Sequence, residues 1–183
     1  NNLNDFSGGV EVRKGQLRIG YIGNGPIWLY GGRYALKDGW LAYVTNALYL
    51  SGDVTLGWTA LPKFTGPVTL LDDCTLTFGA QTFFYAPGEL SGDHTLTLKG
   101  NAAEIHQTNA WWGGTLVMDM GDKLFRVGTP SACGTNRVVL RSGKFAAADG
   151  KNITFNDIRV VIDGNVQLGW IGQQHFQGVV ELT

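Results

Sequence analysis

Three histidines, His94, His106 and His175, stand apart in a chain of 183 residues, and none sits in an H-E-x-x-H pattern or a Cys/His cluster. Cys74 and Cys133 are 59 residues apart, far from a C-x-x-C spacing. The glycine-aspartate repeats of calcium-binding β-rolls are absent. These spacings predict no metal site and no cofactor. There is no G-x-S-x-G, and Gly23-Asn24-Gly25-Pro26 reads as a turn because no helix follows it. Carboxylates are the remaining route to chemistry, since glycoside hydrolysis needs two carboxyls facing each other across a groove. Asp72-Asp73 in extended chain would point to opposite faces; in a turn the two could share a site. Asp119, Asp122, Asp157 and Asp163 lie near expected turns. No catalytic residue is assigned, and the chain is read as a non-enzyme; a small polysaccharide lyase or hydrolase is the third reading.

Aromatic residues are the unusual feature: six Trp and six Tyr. In Ile27-Trp28-Leu29-Tyr30, if Ile27 and Leu29 point inward, Trp28 and Tyr30 point outward together. Tyr49 points outward in Leu48-Tyr49-Leu50 by the same alternation. Trp111-Trp112 precede Gly113-Gly114, a turn at which at least one ring should be exposed. A flat exposed ring suits the apolar face of a sugar, and flanking polar groups suit its hydroxyls. The candidate stacking residues are therefore Trp28, Tyr30, Tyr49, Trp111 and Trp112, with Trp40 and Tyr85 as further rings and Arg33, Gln107 and Asn109 as polar neighbours. Trp58 and Trp170 continue the inward phase and read as structural.

The elements that must hold these rings are short strands. Val10, Val12, Leu17 and Ile19 alternate with Glu11, Arg13, Gln16 and Arg18, a period of two. Twenty-seven glycines are spread along the whole chain, which marks many turns. No long segment carries a helical stripe. The sequence also repeats itself. "GDVTLGWTALPKFTGPVTLL" from Gly52 and "GNVQLGWIGQQHFQGVVELT" from Gly164 share nine of twenty positions at an offset of 112. "LSGDVTL" at Leu50 returns as "LSGDHTL" at Leu90, and Gly8-Gly9 echoes Gly113-Gly114. A unit of about 20 to 22 residues suits these offsets and signals a solenoid. The expected fold is one all-β domain over residues 1–183, a right-handed parallel β-helix of roughly eight coils spaced ~4.8 Å. A jelly-roll β-sandwich is the alternative, but it has no reason to reuse one phrase at a fixed offset. Phe6, Phe64 and Phe176 occupy equivalent places in the phrase and are expected to form an inner stack.

Net charge is −1 and only 16% of residues are charged, which argues against nucleic acid or an anionic membrane as partner. No apolar run approaches the roughly eighteen residues of a spanning helix. The chain opens Asn1-Asn2 and reads as a piece of something longer. The cysteines could pair in an oxidising compartment or both be small buried hydrophobes, and the second reading is preferred.

Phe6-Ser7-Gly8-Gly9, with the β run that follows and Gly15-Gln16-Leu17, resembles the passenger-associated repeat of autotransporter-type secreted bacterial proteins. Phe64-Thr65-Gly66 and Phe176-Gln177-Gly178 match the opening of the same phrase. That resemblance implies a right-handed β-helix outside the cytoplasm and names no activity. The package as a whole, an aromatic-rich β-helix of this size, is similar to the β-helical carbohydrate-binding modules of family 89. Those are associated with xylan and attached to xylanases. The resemblance implies a secreted or cell-surface bacterial module that binds xylan or a related plant β-glycan for a covalently linked glycoside hydrolase. A structural segment of a surface stalk, with no ligand, is the second reading.

Overall fold

The structure is a computed structural model and describes residues 7–19, 23–36, 43–57, 63–79, 82–84, 89–106, 109, 112–169 and 172–183. Alternation of apolar residues between glycine turns produces strands wherever the sequence placed it. They are β1 (Val10–Val12), β2 (Gln16–Ile19), β3 (Ile27–Leu29), β4 (Gly32–Leu36), β5 (Tyr43–Val44) and β6 (Leu48–Leu56). There follow β7 (Lys63–Phe64), β8 (Val68–Phe78), β9 (Thr82–Phe84), β10 (Leu90–Ser91), β11 (Thr95–Gly100) and β12 (Ala103–Ile105). The chain ends with β13 (Thr115–Val127), β14 (Arg137–Ala147), β15 (Ile153–Phe155), β16 (Arg159–Leu168), β17 (Gln174–Phe176) and β18 (Val180–Leu182). Each described pairing is parallel and joins a strand to one about a coil away, as in Leu48 with Val68 and Leu76 with Leu98. This is the expected β-solenoid.

Three strand columns surround the interior. The first runs β1, β3, the first arm of β6, the first arm of β8, then β10. Beyond β10 it loses regular pairing, passing through Asn109, Trp112 and residues 131–135, and strands resume in β15 and β17. The second column runs from β2 through β4, β6, β8, β11, β13, β14 and β16 to β18. The third takes β5, β7, β9 and β12, then the second arms of β13, β14 and β16.

The repeated phrase does not stack on itself. From Val54 the ladder climbs through Leu76, Leu98, Met118 and Leu140 to Ile162, five coils along one column. The sequence partner of Val54 is Val166, which lies beyond a register shift, on the third column. The long strands β6 and β8 therefore bend from the first column into the second, whereas β13, β14 and β16 bend from the second into the third. The bent-strand motif has rotated by one face between Phe78 and Thr115. The expectation that like residues sit above like is corrected accordingly: Phe64 lies on the third column and Phe176 on the first. A sequence repeat reports local strand geometry, while the stacking position depends on residues accumulated in every turn between copies.

Inward positions form one continuous apolar core, including Ile27, Leu48 and Val68 in the first column and Val54, Leu76 and Leu98 in the second. Phe64 is buried near Tyr34, with ring centroids 6.4 Å apart. Phe176 stacks on Phe155 at 5.2 Å, and both lie near Phe145. Phe6 falls outside the described residues. Cys74 and Cys133 are both free and buried, in accord with the preferred reading. Burial pushes the Cys133 thiol up to about 12.

Candidate functional site

Trp28 and Tyr49 are in register on adjacent coils of the first column. Their inward neighbours Ile27, Leu29, Leu48 and Leu50 are buried, so both rings point outward, as the alternation predicts. The rings stack offset, 5.6 Å between centroids and 18° between planes. Each ring thus spends part of its face on the other, and both are half-buried. The row continues outward as Glu11, Trp28, Tyr49, Thr69 and Ser91, in which the last two hydroxyls are 2.9 Å apart. Gly9 makes room for the indole: its φ is +86°, and a Cβ there would come within 2.7 Å of the Trp28 ring. Tyr30, at the corner where the first column turns into the second, is the most open of these three rings, 37% exposed. The Arg13 guanidinium covers one region of it, 4.8 Å from the centroid, and is itself ion-paired to Glu11.

Beyond the backbone of Tyr30, on the second column, lies a groove of about 290 Å³ lined by Gly52, Asp53, Asp73, Cys74, Thr75, Thr95 and Thr97. Gly52 packs against the Tyr30 carbonyl, close enough that a Cβ would meet it at 3.3 Å. The groove exists because the corner of β8 carries extra residues: Leu50 pairs with Leu70, but Gly52 pairs with Cys74. Leu71, Asp72 and Asp73 are pushed to the exterior by this bulge. Asp73 Oδ1 accepts the Thr95 N–H at 2.7 Å, and Asp72 Oδ1 accepts the Asp73 N–H at 2.8 Å. Burial, aided by the Asp53 carboxylate, pushes the Cys74 thiol up to about 12. The Cys74 side chain is buried behind the groove it lines.

Two nominated residues take structural places. Trp112 is 2% exposed and fills the interior where the first column loses its strand; its Nε1–H donates to the Gly92 carbonyl at 2.8 Å. The expected exposure at that turn holds for no part of Trp112, because the irregular coil leaves a space that the indole occupies. Asn109 is 1% exposed and ties three coils together. Its Oδ1 accepts the Leu90 N–H at 2.9 Å, and its Nδ2 donates to the Ala132 carbonyl at 2.6 Å. Both leave the list of sugar contacts. Arg33 lies half-buried on the second column, in register with Gln16 and Thr55, and is engaged by other groups. Trp40, Tyr85, Gln107 and Trp111, and the structural candidates Trp58 and Trp170, fall outside the described residues.

Two groupings escaped sequence reasoning because their members meet only through coiling. Ligand atoms of Asp72, Asp73 and His94 lie within 4.8 Å of one another. Asp72 and Asp73 lie within β8 rather than in a turn, but its bulge sets both side chains on the exterior, and His94 joins them from the next coil. Exposed carboxylates gather in this way without an ion, so the grouping by itself assigns no metal. On the third column Glu104 is buried, ion-paired to Arg126 on the next coil and 2.6 Å from His106 Nε2. Only the i, i+2 spacing of Glu104 and His106 was visible in sequence.

The chain matches no protein-family model, no curated protein and no solved structure.

Proposed function

We propose that this solenoid is a non-catalytic domain that binds a neutral polysaccharide, most simply a plant β-glycan such as xylan, for an attached glycoside hydrolase outside the cell. The observation that carries the reading is the outward aromatic group of Trp28, Tyr49 and Tyr30, together with an Asp- and Thr-lined groove whose Gly52 packs against the Tyr30 carbonyl. Tyr30 offers ring surface to the apolar face of a sugar. Asp53, Asp73, Thr75, Thr95 and Thr97 offer acceptors and donors to its hydroxyls. A linear chain laid along the solenoid axis meets equivalent positions every ~4.8 Å, so one binding mode repeats from coil to coil. Electrophoresis in gels cast with xylan, β-glucan or mannan tests this. Retardation by one of them, weakened in Tyr30→Ala and Trp28→Ala, is the expected result; free migration in all three rejects the reading.

A further inference from the structure

Two outward arginines on the second column have their charges met by a carboxylate of the next coil. Arg159 forms a two-pronged pair with Glu181, its Nη2 2.7 Å from Oε1 and 3.0 Å from Oε2. Arg141 Nε reaches Asp163 Oδ2 at 3.4 Å. Arg137 has Arg159 above it and Thr115 below it in register, so no carboxylate occupies either neighbouring rung. Its Nε is buried without an acceptor. Among the described residues it is the one arginine with no partner: Arg13 and Arg126 are ion-paired, and Arg18 and Arg33 are engaged. Arg137 and Arg159 each stand two residues before a member of the buried outward strip Val117, Val139 and Val161. Their aliphatic stems run beside apolar surface, which lowers the local dielectric around an unpaired cation. A buried donor left unmet is costly, and a planar guanidinium fork matches a two-oxygen anion.

Position supplies the rest. The row that holds Arg137 begins in the groove: Asp73 receives the Thr95 N–H, Thr95 pairs with Thr115, and Thr115 pairs with Arg137. Arg137 is two rungs past Thr95, about 10 Å along the axis. We propose that Arg137 receives an oxyanion, the carboxylate of a uronic acid or a sulfate ester, carried as a substituent on the polysaccharide that occupies the groove. This rests on the polysaccharide reading. The diagonal place that Glu181 takes relative to Arg159 is filled for Arg137 by Val161, so the ligand's anion meets the guanidinium from the solvent side. Asp53 and Asp73 keep the groove itself for the neutral backbone of the polymer.

Affinity electrophoresis tests it with three polymers: unsubstituted xylan, glucuronic-acid-substituted xylan and sulfated xylan. Wild type is expected to bind one of the two anionic polymers about tenfold more tightly than plain xylan, the worth of a charge-assisted hydrogen bond. Arg137→Gln removes that difference and leaves plain xylan binding unchanged; Arg137→Lys, which keeps charge but loses the fork, restores only part of it. Which polymer shows the gain identifies carboxylate or sulfate as the source. Equal retardation by all three, or a preference that survives Arg137→Gln, overturns the inference while the polysaccharide reading stands. No retardation by any of them rejects both. Arg137 is half-buried on the outward face, and an unchanged circular dichroism spectrum confirms that each variant folds.

Discussion

The coils up to Phe78 and those from Thr115 onward use the same bent strand in two ways. On the first column Leu48-Tyr49-Leu50 forms the first arm of β6, with Ile27-Trp28-Leu29 of β3 one coil before it; Arg137-Val138-Val139-Leu140 and Arg159-Val160-Val161-Ile162 form first arms in the second half. The inward residues are interchangeable aliphatics. The outward residue differs: Trp28 and Tyr49 stack half-exposed, whereas Val139 and Val161 are buried among flanking arginines. One backbone motif thus carries a ring surface on one face and a valine strip on the next. Strand geometry is common property, and the chemistry lies in the single outward side chain and in the face to which the coil count has brought it.

The sharpest way to break this comparison is through the core of the second half. Phe145 lies close to Phe125, Phe155 and Phe176, so Phe145→Ala is expected to cost about 3–5 kcal/mol in denaturant unfolding. Trp112 and Trp28 should separate cleanly. Trp112→Ala removes a buried indole and strands the Gly92 carbonyl, at a cost of about 3 kcal/mol or more, without altering glycan retardation. Trp28→Ala is expected to weaken retardation and to cost about 1 kcal/mol of stability, since its ring is half-buried and stacked. A Trp112 variant that keeps its stability but loses binding would reverse the two roles.

Asn109→Ala leaves the Leu90 N–H and the Ala132 carbonyl unmet between coils, and about 1–3 kcal/mol should be lost. Each half also buries one thiol, which permits a pH test. Both folded-state values are raised to about 12 from an ordinary cysteine value. The native state therefore holds protons that the unfolded chain releases, and stability is present below the ordinary value and declines as pH rises from about 9 towards about 12. The slope approaches at most about 1.4 kcal/mol per pH unit for each thiol, and Cys133→Ala should remove one thiol's share in unfolding curves at pH 8 and 10.5. The smallest effect belongs to Glu181→Gln. Its pair with Arg159 is exposed, so the loss should stay under about 1 kcal/mol and fade in high salt.

Much of the first column was legible because alternation alone decides which side of a strand is wet. Ile27 and Leu29 inward and Trp28 outward follow from period two. Trp112 lies off the strands, where alternation says nothing; the turn signal asks for one exposed ring of the Trp111-Trp112 pair, and Trp112 is buried in the space that the irregular coil leaves. The groove depends on extra residues at the β8 corner, a register shift that becomes visible only when Gly52 is seen opposite Cys74. Asp72, Asp73 and His94, like Glu104 and Arg126, are brought together by coils about 21 residues long, and nothing in local spacing marks them.

By itself the sequence determined the class of fold, the short parallel strands, the inward aliphatics and the outward direction of Trp28 and Tyr49. These depend on local alternation and on a repeat length, both one-dimensional quantities. The tertiary structure alone decided which copies of the phrase share a face, where the corner bulge opens a groove and which arginine is left without an acid. Those depend on the sum of every coil's length, and a few residues gained or lost over five turns move a side chain to another face of the solenoid.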